Sequence, residues 1–294
     1  MGTTKQASSS APLSRHQLEC VQGEICFARR TPDEEGEATT PTPGYDFPKV
    51  VHDVTIRSAR PIADELSLDK EGFVRIQHKV ACVNERNPDI LRKKYLEEMV
   101  PFIKDYFKAS WVQTVDLGGV TIRSIGGDSF ARPADEKETK ATVRGIWAGY
   151  AHIDYAPVAG PTIAARDSQL QGIEIRPYSR LMIIQAWQAI SPPPQDIPLA
   201  FCDASSIEDG DLFETYFRSK FGVTHRSRVL HYNPSHRWYY LPEMTSDEFV
   251  LFKGYDSEVH YHRWSAHAAF DNRRAYPNAK PRESIESRFY VYYE

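Results

Sequence analysis

Gly149-Tyr150-Ala151-His152-Ile153-Asp154-Tyr155 is the stretch on which the reading of this sequence turns. In an extended segment residues i and i+2 point to the same face. His152 and Asp154 therefore present an imidazole and a carboxylate to one point. A third ligand, a histidine from a neighbouring strand, would complete one face of an octahedron and leave three positions open. The tripeptide alone is not decisive. A chain of 294 residues with ten histidines and 19 aspartates meets His-x-Asp by chance about as often as not. Order and spacing elsewhere have to carry the reading.

Six of the ten histidines lie in the last 70 residues: His225, His231, His236, His260, His262 and His267. His267 is the preferred third ligand. An apolar stretch, Glu248-Phe249-Val250-Leu251-Phe252-Lys253, precedes it, and Arg282-Glu283-Ser284 follows 15 residues on, room for a turn and a strand crossing. His236, beside Trp238 and Tyr239 on a predicted strand, is the runner-up, with a packed core histidine as its plain alternative. His260 and His262 read as surface residues in a charged segment. His225 and His231 flank Arg226 and Arg228 near the end of a predicted helix and read as solvated, and His52 and His78 have no partner pattern. Two histidines and a carboxylate is the ligand set of non-haem Fe(II) oxygenases. By the same period-2 logic Ser284 shares the face of Arg282, and a planar guanidinium meets a carboxylate bidentately. Arg-x-Ser also occurs at Arg166-Asp167-Ser168 and Arg263-Trp264-Ser265, and a salt bridge with Glu283 or Glu286 is the plain alternative for Arg282.

Composition narrows the setting. There are 36 basic and 40 acidic side chains, a net charge of −4, with 41% hydrophobic and 26% charged residues. That suits a soluble globular protein with a sizeable core. It provides no electrostatic footprint for nucleic acid or an anionic membrane. No apolar run approaches the roughly 20 residues that span a bilayer, and the first 12 residues have no secretory pattern. Four cysteines without CxxC spacing predict reduced thiols and a cytoplasmic protein.

Residues 1–14 read as a polar, disordered tail, and 15–294 as a single domain. The proline-rich arm at residues 31–48 has a composition that could reach across a homodimer. The stripe Leu91, Tyr95, Met99, Ile103 and Phe107, opened by Asn87 and Pro88, predicts a core-facing helix over residues 88–107. Pro101 should kink or split it. A second helix is expected over 208–220, closed by Gly222. Strands are predicted at 21–29, 50–57, 112–125, 146–152, 181–190, 199–201, 237–241, 249–253 and 285–293, being short, β-branched and aromatic. Together these predict a mainly β fold, a sandwich or open barrel with flanking helices.

Further segments carry a family resemblance. They are Leu68-Asp69-Lys70-Glu71-Gly72-Phe73, the motif around His152, Pro198-Leu199-Ala200-Phe201-Cys202-Asp203, and His236-Arg237-Trp238-Tyr239-Tyr240-Leu241-Pro242-Glu243-Met244. Leu251-Phe252-Lys253-Gly254-Tyr255-Asp256-Ser257, residues 267–271 and residues 282–286 complete the set. From about residue 65 to the end the chain resembles the CmcJ-type, or gibberellin-desaturase-like, family of fungal and bacterial secondary metabolism. The resemblance implies a double-stranded β-helix (jelly-roll, cupin-like) core and Fe(II)/2-oxoglutarate-dependent use of dioxygen to oxidise a small natural product. It implies His152, Asp154 and His267 as iron ligands, and Arg282 and Ser284 on the far carboxylate of 2-oxoglutarate.

One segment departs from the family pattern. Where an Asn and a Trp-Arg pair are expected, the chain has Gln185-Ala186-Trp187-Gln188, so Gln185 keeps a polar, cosubstrate-side position while Gln188 replaces an arginine. Tyr150, Tyr155, Trp187, Gln188 and Trp238 are the expected pocket lining, although each aromatic could equally be core. Hydroxylation, desaturation, ring formation and endoperoxide insertion are all open as outcomes. At the level of residues alone, a non-catalytic β-sandwich binding module and a redox-neutral metal-dependent hydrolase or isomerase also stay open.

Overall fold

The computed structural model describes residues 14–30, 47–114, 120–124, 149–218, 224–258 and 264–294. The polar tail to residue 13, most of the proline-rich arm, and both His260 and His262 lie outside the described residues. Fourteen strands are found among the described residues. They are β1 (Cys20–Ala28), β2 (Lys49–Ser58), β3 (Phe73–Gln77), β4 (Trp111–Thr114), β5 (Val120–Ser124), β6 (His152–Ile153) and β7 (Arg180–Ala189). The rest are β8 (Leu199–Cys202), β9 (Leu212–Arg218), β10 (Thr224–Leu230), β11 (Trp238–Tyr240), β12 (Glu248–Asp256), β13 (His267–Ala269) and β14 (Glu283–Tyr293). Among the described residues two α-helices accompany them, α1 (Pro88–Phe107) and α2 (Ala159–Leu170).

Eight strands form one sheet in the order β1-β2-β11-β8-β13-β6-β10-β9. It curls on itself: Cys26 bridges Tyr150 and Ala28 bridges His231, bringing β1 back to the neighbourhood of β6 and β10. The concave face buries Ile25, Phe27, Ile56, Trp238, Tyr240 and Phe270. The second sheet runs β3-β12-β7-β14-β4, with β5 also paired to β14. The two sheets meet through aromatic contacts such as Phe73 on Phe201, ring centroids 5.0 Å apart. On the opposite face of the second sheet Ile184, Ala186, Phe289 and Val291 pack in one cluster with Leu91, Tyr95, Met99 and Ile103 of α1.

α1 starts as its sequence predicts. The Asn87 side chain accepts hydrogen bonds from the backbone N–H groups of Asp89 and Ile90, and Pro88 takes the first helical position, where no N–H is needed. It continues through Pro101 as one helix instead of splitting, because Leu91, Tyr95, Met99 and Ile103 on both sides of the proline are fully buried on one face. The helix expected over 208–220 is instead a 3-10 turn at Asp209–Asp211 followed by β9. β9 pairs residue by residue with β10, and this hairpin overrides the local helical pattern, as cross-strand packing commonly does. The described residues of the strand expected over 112–125 fall in β4 and β5, both on β14. α2, β3, β10 and β13 have no counterpart in the sequence reading.

Candidate metal centre

Three strands of the curled sheet put the motif where chemistry can use it. β6 is only two residues long, yet it is paired on both sides: His152 lies opposite His267 of β13 and opposite Val229 of β10. Ala151 and Ile153 point into the apolar interior of that sheet. His152 and Asp154 therefore project to the other side, between the sheets. His267 reaches the same place, its ring centroid 4.2 Å from that of His152 and 4.8 Å from that of Phe252. One donor atom from each of His152, Asp154 and His267 can be chosen so that all lie within 4.8 Å of one another. The structure thus brings together the three residues named from sequence.

The donor atoms are pre-oriented. The Nδ1 of His152 is 2.9 Å from the carbonyl of Tyr150, and the Nδ1 of His267 is 3.1 Å from the carbonyl of Ser265. A carbonyl can only accept, so each Nδ1 carries the proton and each Nε2 keeps a lone pair for a metal. Burial, helped by the neighbouring His152, pushes His267 down to about 4, so its imidazole is neutral near pH 7. Burial alone would raise Asp154, but Arg288, followed by His152 and His267, holds its carboxyl well below the usual range. A neutral His267 and an ionised Asp154 thus meet the metal already deprotonated, as metal binding requires.

Asp154 is gripped from the second sheet. Gln185 Nε2 and Arg288 Nη2 both donate to its Oδ2, the latter at 3.1 Å, while Oδ1 lies 3.3 Å from His152 Nε2. Gln185 and Arg288 are directly opposed on β7 and β14. Arg288 Nη2 also donates to Glu286 Oε1 at 2.7 Å. Glu286 lies below its ordinary value because Arg288 and Arg123 outweigh its burial. His225 adds a contact from behind, its Nε2 3.0 Å from the Asp154 carbonyl. Arg288, Glu286 and His225 are the site residues that the sequence reading did not identify.

Further along the same face stand Ser284 of β14 and Arg282, which immediately precedes the strand. Arg282 is 2% exposed, and its Nη1 donates to the Ile197 carbonyl at 2.8 Å. Its Nε has no hydrogen-bond partner, and neither does Ser284 Oγ. Among the described residues no carboxylate comes within salt-bridge distance of this guanidinium, so neither Glu283 nor Glu286 pairs with it. Burial, aided by the charge of Arg123, pushes it down to about 10. A buried cation with open donors beside an orphaned hydroxyl fits the carboxylate of a small acid. With the donor set above, the residues present fit both Fe(II) and 2-oxoglutarate.

The expected lining divides. Tyr150 is buried with its ring centroid 4.8 Å from that of His152, and Trp187 lies under Arg282, 5.9 Å from the guanidinium carbon. Tyr155 is buried against Leu181, Ile183 and Tyr290, with its ring 5.6 Å from that of His225. Three residues are not brought to the site. Gln188 is odd-numbered steps from Gln185 on the strand, so it faces the helix side with Ile285 and donates to the Ser246 carbonyl at 2.6 Å. Trp238 sits in the concave apolar core against Phe27. His236, the runner-up ligand, is bound to Asp211, its Nε2 3.0 Å from the carboxylate, away from the other ligands. His225 and His231 are corrected as well: both belong to the β10 side of the curled sheet, and His231 is buried with its Nδ1 3.0 Å from the Ala28 carbonyl.

Comparison with known proteins agrees with this geometry. The chain is 26% identical over 269 residues to the Fe(II)/2-oxoglutarate-dependent dioxygenase nvfI of Aspergillus novofumigatus, covering 89% of this chain and 92% of that protein. It is 30% identical over 255 residues to the hydroxylase/desaturase efuI of Hormonema carpetanum, covering 82% and 83%. The solved iron and alpha-ketoglutarate-dependent endoperoxidase NvfI superimposes with a TM-score of 0.71 at 25% identity, over 93% of this chain and 98% of that one. The fold is therefore the jelly-roll core expected from the resemblance, and redox chemistry prevails over the binding-module and hydrolase alternatives. Residues 26–292 match the model of the oxidoreductase/YMDC permease-like domain, and the chain belongs to that family, as an Fe(II)/2-oxoglutarate-dependent oxygenase of the CmcJ-like kind.

Proposed function

We propose that His152, Asp154 and His267 hold the iron, that Arg282 and Ser284 anchor the distal carboxylate of 2-oxoglutarate, and that the substrate is a small, largely apolar natural product. When bound, Fe(II) with 2-oxoglutarate supplies an oxidant for C–H bonds at the expense of dioxygen, with release of succinate and carbon dioxide. The chain does the rest. His152 and His267 offer fixed Nε2 lone pairs, and Asp154 offers Oδ1. Arg282 and Ser284 fix the reach of the cosubstrate from the metal. Tyr150, Trp187, Phe201 and Phe252 provide buried aromatic surface that excludes water and suits an apolar ligand.

The observation that carries this reading is the buried Arg282 guanidinium, without a carboxylate among the described residues, on the strand face that also bears the grip on Asp154. Named relatives include hydroxylase/desaturases and an endoperoxidase. The reaction outcome is set by which substrate carbon the aromatic walls hold nearest the metal. The four cysteines form no disulfide, which suits a reducing cytoplasm, and no helix of the described residues is long and apolar enough to cross a membrane.

Anaerobic reconstitution with Fe(II), followed by dioxygen and 2-oxoglutarate, tests the assignment through succinate. His152→Ala and Asp154→Ala should each abolish succinate release and lower the bound iron. Unchanged iron content and succinate output in both variants would remove the assignment.

A further inference from the structure

We propose that Gln185, Arg288 and Glu286 are positioning residues that restrict Asp154 to one-oxygen ligation. The proposal rests on the assignment of Asp154 as a metal ligand. A free carboxylate has two equivalent oxygens and can chelate a metal through both. Here two donors converge on the same oxygen. The Gln185 amide and Arg288 Nη2, from opposed positions on β7 and β14, both point at Oδ2. Oδ1 is the oxygen left on the histidine side, 3.3 Å from His152 Nε2.

Glu286 completes the clamp. It takes the same Arg288 nitrogen at 2.7 Å and so fixes the guanidinium that would otherwise swing toward either carboxylate. All three clamp residues are strand residues of the second sheet, whereas His152 and His267 belong to the first and Asp154 directly follows β6. The clamp therefore also ties the two sheets together across the site. The consequence is chemical. One-oxygen ligation leaves three of six octahedral positions open, enough for a bidentate keto acid and one further ligand, and two-oxygen ligation would leave only two. Gln185 is thus reassigned from a cosubstrate contact to a support for the carboxylate ligand.

The test uses Co(II) as the metal probe on the full chain, with binding measured by titration and coordination read from the visible absorption of the bound ion. Gln185→Met is nearly isosteric and uncharged, so it carries the test even if a change at Arg288 impairs folding. It should weaken Co(II) binding roughly ten- to a hundred-fold, the usual effect of losing a support to a ligand. In the Co(II)-loaded variant, 2-oxoglutarate should bind several-fold more weakly, with an altered absorption spectrum. Arg288→Lys keeps a charge but not the planar guanidinium that holds Nη2 between the two carboxylates, and should fall between wild type and Arg288→Met. Glu286→Gln should give the smallest loss. Wild-type Co(II) affinity, spectrum and 2-oxoglutarate affinity in Gln185→Met and Arg288→Met would overturn the clamp. Full Co(II) affinity in His152→Ala would instead overturn the ligand assignment beneath it.

Discussion

Replacing Arg282 by Met separates the cost of this residue from its use. The guanidinium is 2% exposed, and burial, aided by Arg123, pushes it from the ordinary arginine range down to about 10, which corresponds to about 3 kcal/mol of penalty on the charged form. One charge-assisted contact, Nη1 to the Ile197 carbonyl at 2.8 Å, offsets about 2 kcal/mol of that. The bond from the Arg282 backbone N–H to Asp196 Oδ1 is kept in Arg282→Met. In the ligand-free protein, Arg282→Met should therefore raise stability by about 1 kcal/mol, or a few degrees in melting temperature. Toward 2-oxoglutarate the sign reverses. A lost charge-assisted, two-pronged contact of about 3 kcal/mol raises Kd roughly a hundred-fold. Thermal unfolding of the ligand-free protein and anaerobic calorimetric titration of 2-oxoglutarate into Mn(II)-loaded protein measure the two quantities. Mn(II) binding itself should not change. A variant that melts several degrees lower and binds 2-oxoglutarate as wild type does would show that Arg282 braces the Asp196–Ile197 turn and anchors nothing.

Legibility in the sequence followed the range of the forces involved. The pairing of His152 with Asp154 was readable because period-2 geometry is local. His267 was readable because an apolar strand before it and an arginine after it set its place in the chain. The same logic, applied two steps further on the last strand, reaches Glu286 and Arg288. Ser284, Glu286 and Arg288 stand at alternate positions of β14, and Arg282 continues the same period just before it, ahead of an apolar and aromatic end, Phe289 to Tyr293. A charged stripe on a strand buried on both faces was the available signal. What the sequence hid was set by partners remote in the chain. Gln185 and Gln188 look alike on paper, yet strand parity sends one to Asp154 and the other to the helix side. His225 was assigned to a helix because the segment before it has helical spacing, and its contact with Asp154 exists only once β9 and β10 form a hairpin. His236 was attractive for its aromatic neighbours, but its carboxylate partner, Asp211, lies 25 residues upstream.

Two more perturbations test parts of this structure that the assays above leave alone. His236→Gln should leave iron content unchanged while flattening the acid side of the stability curve. Burial outweighs Asp211 and lowers the His236 pKa, so below its ordinary 6.5 the unfolded chain takes the proton first and wild type loses stability as pH falls; melting temperatures from pH 7 to pH 5 check this. Gly254→Ala reaches the clamp without replacing a ligand or a donor. Gly254 sits where β12 shifts its register against β7, and an added Cβ would stand 2.8 Å from Gln185 Oε1 and 2.9 Å from the Tyr155 ring. Both are closer than real contacts allow. The Tyr155 ring is wedged among Leu181, Ile183 and Tyr290, whereas the Gln185 amide is the end of a flexible side chain, so the amide yields first. Gly254→Ala should then weaken Co(II) binding about as much as Gln185→Met does, at an overpacking cost of about 1–3 kcal/mol in stability. If the effect passes through the amide, Gly254→Ala on a Gln185→Ala background should weaken Co(II) binding no further, because the group it displaces is already gone. Full additivity in that cycle would mean that Gly254 acts through Tyr155 or the strand register, and Gln185 would no longer explain why this position has no side chain.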